Sequence, residues 1–572
     1  MTSPIPGTTP RAARENSPPP AGRRLPWRVR LFTRLSRRGL PPPVCRVRVA
    51  AGIEVPAADG VPLRTDHYIP QLTGPRPALL VRTPYGRGFP WAFLFGSLFA
   101  ERGFHVIIQS CRGTAGSGGE QYPLRHERAD GLAAVAWLRR QDWFTGELAT
   151  IGPSYLGYTQ WALAGDAPPE LRAMIVQNGV SVPHPLMYPG GAFALENILV
   201  PTAFTLSWHR GLRALLRAML RMQRRLRQVA RTLPMIDAYR PALGGRVGFF
   251  EDWLTHPDAA DPYWASLDVT AGAPVPTVPV SLLSGWQDFC LDPTLAEYRR
   301  LRAAGRTPRL VIGPWTHASA FNDDLPIVVG EALSWLTAQC SRDPAGWPKS
   351  PVRVHVGGGR GEWRDLPDWP PPQSAGQLWR PAADGTLSTG EAARTGVSSL
   401  RYDPADPTPS VGGQLVTAKA GPRDNRALEA RPDVLVFTSA PLPADLEVIG
   451  PVSARLRVRA SGPHFDVFAR LCDVDPRGRS RNVCDGLIRQ LPAAGQAGPA
   501  DSLIEVPMSA AAHRFRAGHR LRLQVSGGAH PRFARNTGTG EPPATATRLQ
   551  PVDLEIVHGG PDAGGLILPV FG

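Results

Sequence analysis

Chemistry in this chain starts at Ile151-Gly152-Pro153-Ser154-Tyr155-Leu156-Gly157. An apolar run, Leu148–Gly152, precedes the serine, and a segment of helical spacing, Tyr155–Ala164, follows it. A serine on so tight a strand-to-helix turn holds its hydroxyl clear of the backbone, above the sheet edge. The free N–H groups of the helix N-terminus then lie where an oxyanion would form. Small residues flank the serine because the turn is crowded. The common pattern has its second glycine two places after the serine. Here it falls one place later, at Gly157, and G-x-S-x-x-G alone is weak evidence in so Gly-rich a chain.

A nucleophilic serine needs a base, and the base needs an orienting carboxylate. The apolar strand Val280–Ser284 runs into Gly285-Trp286-Gln287-Asp288, and Arg309–Ile312 runs into Gly313-Pro314-Trp315-Thr316-His317. Both residues fall where loops leave the carboxyl ends of strands. The interval between them accommodates one helix and one strand. A single Asp or His in a loop reads equally well as surface polarity. Ser154, Asp288 and His317 at three strand ends, in the chain order of α/β-hydrolases, do not.

The elements that must position these residues alternate. Ala78–Arg82, Phe104–Gln109, Leu148–Gly152 and Ala173–Gln177 read as buried strands, with helical segments Trp91–Arg102, Glu127–Gln141 and Tyr155–Ala164 between them. The pattern resumes at Val280–Ser284, with helices at Pro293–Ala304 and Val329–Gln339. Such alternation implies a parallel sheet covered on both faces. The expected fold is α/β, in two parts (46–190 and 271–345), interrupted by a helical cap at 191–270. In the cap, Leu212, Leu215, Leu216, Met219, Leu220, Leu226 and Val229 suggest one apolar stripe among arginines. From 350 to 572 short strands alternate in period two between Gly, Pro and Asp clusters, as at Val352–Val356, Ala454–Val458, Phe465–Leu471 and Leu521–Val525. That texture predicts an all-β sandwich or jelly roll.

The chain has 572 residues and a net charge of +16. Residues 1–45 and residues 210–231 each carry +8, so the rest is neutral. With only two lysines, Lys349 and Lys419, the arginine excess looks compositional, and no nucleic-acid-binding motif accompanies it. Residues 1–45 are Pro- and Arg-rich and read as a disordered tail. Within it, Trp27–Leu35 could form a short basic amphipathic helix, which leaves peripheral membrane contact as a minor alternative. The cap arginines read as the solvated face of a helix before they read as a substrate or anionic-surface contact. No secretory signal or 18-residue apolar run is visible, and the six cysteines lack CxxC spacing. These features predict a cytoplasmic protein with neither a disulfide framework nor a zinc site.

Several segments together resemble a known family. Arg82-Thr83-Pro84-Tyr85-Gly86-Arg87, Gln109-Ser110-Cys111-Arg112-Gly113, Gly116-Ser117-Gly118-Gly119, the Ser154 motif and Gly285-Trp286-Gln287-Asp288 look like the cocaine esterase and X-prolyl dipeptidyl peptidase family of α/β-hydrolases. Tyr402-Asp403-Pro404, Arg431-Pro432-Asp433, Asp473-Val474, Asp485-Gly486 and Arg489 resemble its C-terminal jelly roll. The resemblance spans about Arg46 to Phe571. It implies Ser154 as nucleophile, His317 as general base and Asp288 as the residue orienting the imidazole. It also implies an oxyanion hole made by the Tyr85 hydroxyl and the Tyr155 backbone N–H, with no cofactor or metal. Two departures stand out. Ser110-Cys111 replaces the family's frequent Asp-Val. Phe289, Cys290 and Leu291 follow Asp288 where the α-amino ester hydrolase branch has carboxylates for a substrate ammonium. Glu196 or Asp292 could supply such a carboxylate from elsewhere. Trp286, Phe289 and Trp315 suggest an apolar acyl pocket.

The expectation is a serine hydrolase that cleaves a small-molecule ester, or less favourably an amide, through an acyl-enzyme. The alternatives are an X-prolyl dipeptidyl aminopeptidase, and a basic membrane-surface or nucleic-acid binding protein on an inactive hydrolase fold. A carbohydrate-binding role for the jelly roll rests on fold analogy alone. Oligomeric state and natural substrate are not legible.

Overall fold

The computed structural model describes residues 37–572 except 167, 210–211, 273, 341–349, 391–394, 492–500 and 561–563, and leaves out the side chains of 209–216, 218 and 219. Residues 1–36, with the Trp27–Leu35 piece, lie outside the described residues. Residues 37–45 rest on the α/β body: Arg37 pairs with Glu101, and the Val44 N–H donates to the Glu101 carbonyl.

Ten strands form one sheet: β1 (Val47–Pro56), β2 (Pro62–Pro70), β3 (Ala78–Thr83), β4 (His105–Ser110), β5 (Leu148–Pro153), β6 (Leu171–Gln177), β7 (Val280–Gln287), β8 (Arg309–Thr316), β9 (Val352–Val356) and β10 (Glu362–Leu366). Their order is β1-β2-β4-β3-β5-β6-β7-β8-β9-β10. From β4 to β9 every neighbouring pair is parallel, and the outer strands β1, β2 and β10 run antiparallel. Parallel strands joined by helical crossovers are buried on both faces. Accordingly, β3, β4, β5 and β7 are buried at every residue. Two apolar clusters sandwich the sheet. One is built on Leu80, Leu138, Trp161, Leu282 and Leu310, the other on Val81, Phe99, Ile151, Ile175 and Leu336.

Val352–Val356, which the sequence groups with the all-β part, belongs to this sheet as β9 and pairs parallel with β8. Its alternating burial has a simple cause. It lies near the sheet margin, with Val352, Val354 and Val356 in the core and Arg353 and His355 half-buried.

The cap is helical as expected, with long helices at Leu195–His209 and Leu212–Arg231 and a shorter one at Gly248–Thr255. Phe193, Leu199, Phe250 and Trp253 pack on Tyr158 and Ala162 of the helix after Ser154, and Ala534 and Ala544 of the C-terminal part join the same cluster. The apolar stripe differs from expectation. Met222, Leu226, Val229 and Ala230 are buried, but Leu220 is 85% exposed. At roughly 100° per residue, Leu220 sits almost opposite Met222, so it cannot share that face. Leu212, Leu215, Leu216 and Met219 have side chains outside the described set. Arg217, Arg221, Arg224 and Arg227 are exposed, which is the solvated-face arrangement.

Two antiparallel sheets make the C-terminal all-β domain. One centres on Leu446–Ala460, flanked by Ser502–Phe515, Val552–His558 and Gly564–Phe571. The other runs Val434–Thr438, Arg520–Ser526, Phe465–Val474, Ser480–Gln490. Leu456, Val467, Leu523 and Leu554 share the core between them. The acidic and basic residues of the C-terminal motifs form buried ion pairs within this domain. Asp485 accepts from Arg470 and Arg532, and Arg489 pairs with Asp466 at 2.7 Å. Gly486 is required because a side chain there would strike the Pro507 carbonyl. Among the described residues no helix is long and apolar enough to cross a membrane.

Candidate active site

Ser154 follows β5 and precedes the helix Tyr155–Ala164, with φ 56° and ψ −123°. A non-glycine residue pays for that conformation, and the surroundings hold it there. The two glycines of the motif show how. A Cβ at Gly152, whose φ is +155°, would lie 2.4 Å from the Leu156 Cβ. One at Gly157 would lie 2.7 Å from the Gly179 Cα. The later glycine is therefore the contact point between the nucleophile helix and the loop after β6. The Ser154 N–H is spent on the Gln177 carbonyl at 2.9 Å. The Tyr155 N–H opens the helix and has no acceptor within it by position.

Tyr85 stands just past β3, its N–H held by the Thr83 hydroxyl at 3.0 Å and its ring stacked on Trp91. Its hydroxyl neighbours the Ser154 side chain. Burial pushes the phenol up to about 12, opposed by the neighbouring Ser154 hydroxyl. Tyr155 is anchored at its far end: its hydroxyl donates to Glu127 Oε1 at 2.7 Å and accepts from the Leu124 N–H at 2.8 Å. Glu127 in turn pairs with buried Arg82 at 2.9 Å, so its charge is already matched.

His317 Nδ1 lies 2.9 Å from Asp288 Oδ1. A carboxylate can only accept, so this nitrogen carries the proton and Nε2 is left with its lone pair. Asp288 is fully buried, and the same oxygen accepts the Cys290 N–H at 2.8 Å. His317 is held at two further points, its main chain and its ring. Asn178 Nδ2 donates to the His317 carbonyl at 3.1 Å, and Phe289 lies against the ring with centroids 4.4 Å apart.

Ser154, Tyr85, Tyr155, Phe289 and His317 line one cavity of about 540 Å³ at the carboxyl ends of the parallel strands. That edge is where open α/β sheets bind ligands. Two expected pocket residues are absent from its wall. Trp286 donates its indole N–H to the His355 carbonyl and packs on Trp369. Trp315 donates to Asp324 and lies by Val311 and Val328. A register shift between Gly285 and Gln287, then a turn closed by the Asp288 N–H on the Gly285 carbonyl, re-aims the chain. Asp288 thus faces the site and Trp286 does not.

Sequence reasoning missed most of the cavity wall. Trp91 and Leu94 come from the body, Phe204, Phe249 and Trp253 from the cap, and Val416 from the all-β domain. The roof is the helix Leu195–His209. No described residue of the arginine-studded helix lines the cavity. Asn197 ties cap to all-β domain at this wall, donating to the Gln414 carbonyl and accepting the Val416 N–H, both at 2.9 Å. Neither carboxylate offered for an ammonium group is available. Glu196 accepts from Thr417 at 2.7 Å and Asp292 from Ser509 at 3.0 Å, and neither lines the cavity.

Fold and site together define a serine hydrolase on an α/β-hydrolase scaffold. Residues 59–319 match the X-Pro dipeptidyl-peptidase (S15 family), and residues 345–563 match the X-Pro dipeptidyl-peptidase C-terminal non-catalytic domain. A cocaine esterase from a Rhodococcus species is 31% identical over 573 residues, covering 91% of this chain and 98% of that one. The chain belongs to this family of cocaine esterases and X-prolyl dipeptidyl peptidases. Among solved structures, an aminopeptidase from a marine sediment thaumarchaeon is 20% identical with a TM-score of 0.76, covering 98% of this chain and all of that one. An α-amino acid ester hydrolase is 21% identical with a TM-score of 0.76, covering 93% and 98%. At those identities the two structures speak to the fold.

Proposed function

We propose that this enzyme hydrolyses esters of bulky apolar acids through an acyl-enzyme on Ser154. His317 Nε2 takes the serine proton as Oγ attacks the carbonyl carbon. Asp288 keeps the opposite ring nitrogen protonated and supports the imidazolium that forms. The Tyr85 hydroxyl and the Tyr155 N–H receive the negative oxygen. His317 then gives its proton to the departing alkoxide, and water repeats the cycle on the acyl-enzyme. None of these steps draws on a cofactor.

The carrying observation for ester over aminopeptidase chemistry is the lack of a free carboxylate in the cavity. Among the described lining residues the one acid is Glu127, already matched by Arg82 and Tyr155. A substrate ammonium would lose its hydration there without gaining a partner, which is costly. Apolar side chains such as Leu94, Val180, Ile198, Phe204 and Phe289 offer burial to an aliphatic or aromatic acyl group. We therefore expect p-nitrophenyl esters of bulky acids to exceed Gly-Pro-anilide in kcat/KM by at least about 10²-fold, since an unpaired buried charge costs a few kcal/mol. Faster turnover of the anilide would reverse the assignment to the X-prolyl peptidase side. The six cysteines, all free, support a reducing compartment such as the cytoplasm.

Tyr85→Phe removes one oxyanion donor and should lower kcat about 10²–10³-fold with KM little changed. Protonated phenol is the working form. With its pKa raised to about 12, the donor persists below that pH and is lost above it. The ratio of wild-type to Tyr85→Phe kcat should stay flat from pH 7 to roughly 10.5. A ratio that falls near pH 10 would show a phenol of ordinary acidity, and a ratio near one at every pH would remove Tyr85 from the oxyanion hole.

A further inference from the structure

Asp288, Cys290 and His317 each present one ligand atom within 4.8 Å of the others. Two of the three, Cys290 and His317, line the cavity, so an ion has a path to them. The carboxylate is unevenly used. Asp288 Oδ1 receives both His317 and the Cys290 N–H, while fully buried Oδ2 has no hydrogen-bond partner among the described residues. A buried anionic oxygen with unspent lone pairs calls for a ligand. Sulfur, imidazole nitrogen and carboxylate oxygen form the donor set that Zn²⁺ accepts, and that Mg²⁺ and Ca²⁺ do not prefer. Bonds of about 2.0–2.3 Å in a tetrahedron require donors closer together than 4.8 Å, so side-chain rotations must draw them in. CxxC-type spacing could not reveal such a group, because its members meet only through the ends of β7 and β8.

We propose that Asp288, Cys290 and His317 form an inhibitory site for a thiophilic divalent cation, with Zn²⁺ the fitting ion. The inhibitory part rests on the role given above to His317; the binding part does not. The cation bonds the Cys290 sulfur, an Asp288 oxygen and His317 Nδ1, and a water from the cavity takes the fourth position. One proton leaves the Cys290 thiol to solvent. The imidazole proton moves from Nδ1 to Nε2, with no change in ring charge. His317 then presents an N–H, not a lone pair, toward the cavity and cannot accept the serine proton. The same scaffold that fixes the working tautomer thus lets one ion invert it.

Two readouts on the full-length protein separate binding from function. Zn²⁺ titration of ester hydrolysis, each variant normalised to its own metal-free rate, should give a half-inhibitory concentration at least tenfold higher for Cys290→Ser than for wild type. Cys340→Ser should track wild type. Co²⁺ should produce a thiolate-to-cobalt charge-transfer band in wild type and in Ser154→Ala, and Cys290→Ser should lack it. Metal-free fluorophosphonate labelling of Cys290→Ser reports that the site remains folded. Equal Zn²⁺ inhibition of wild type and Cys290→Ser overturns the proposal, as does a cobalt band that survives Cys290→Ser. A cobalt band with the expected dependence in a protein that hydrolyses no ester would keep the metal site and discard the hydrolytic assignment.

Discussion

Ser154→Ala will lower ester turnover by roughly 10⁶-fold and abolish labelling by a fluorophosphonate probe. The size follows from what is removed. The covalent route needs an oxygen nucleophile at one point above the sheet, and among the described residues no other hydroxyl is delivered there by a strained turn. Alanine keeps the Cβ and the backbone position, so the fold should survive and the loss should fall on kcat. The conformation itself supplies a control. Ser154 has φ 56°, where a side chain costs on the order of 1–3 kcal/mol. Ser154→Gly should therefore unfold at a higher temperature than Ser154→Ala while being equally inactive. Residual labelling of Ser154→Ala would move the nucleophile elsewhere. An unchanged unfolding temperature for Ser154→Gly would show that the turn is unstrained.

The parts of the site that the sequence reveals are those where crowding or chain order leaves a mark. Gly152 and Gly157 are legible because no other residue fits beside Leu156 and Gly179. Asp288 and His317 are legible because buried parallel strands end in loops, and two loops in succession carry the needed chemistry. The cavity wall is illegible for the opposite reason. Phe204, Trp253 and Val416 reach the site through packing between cap, body and all-β domain, which no local pattern encodes. Trp286 and Trp315 mislead because strands buried on both faces carry no parity signal, and a register shift re-aims the chain just before Asp288. Val352–Val356 misleads because a marginal parallel strand alternates like an antiparallel one.

Charge tells a similar story. Half of the +16 lies in 210–231, yet the helix that roofs the cavity is the preceding one, which carries Asn197 and Phe204. The described arginines of the second helix face solvent, and Met222, Leu226 and Val229 hold it to the cap core. Its sequence stands out because of composition, while its structural task is ordinary packing. The quiet helix before it shapes the substrate space.

Asp288→Asn will lower kcat by about 10⁴-fold while leaving fold and KM nearly intact. The reason is the direction of one proton. Asp288 Oδ1 accepts from two N–H groups, those of His317 Nδ1 and of Cys290. An amide can keep only part of that pattern. If its oxygen stays toward the Cys290 N–H and the imidazole, its NH₂ takes the Oδ2 side, and the imidazolium formed in each step loses its counter-charge. If it flips, it donates to Nδ1 and forces the proton onto Nε2, where the base can no longer accept from Ser154. Either outcome stops general-base catalysis, and neither disturbs the Tyr85 and Tyr155 donors. Burial sharpens the effect, since around fully buried Asp288 a lost counter-charge is poorly screened. The check is kcat and KM on one ester together with the unfolding temperature. A loss below tenfold would mean that His317 is oriented by Phe289 and Asn178 alone, and Asp288 would leave the triad.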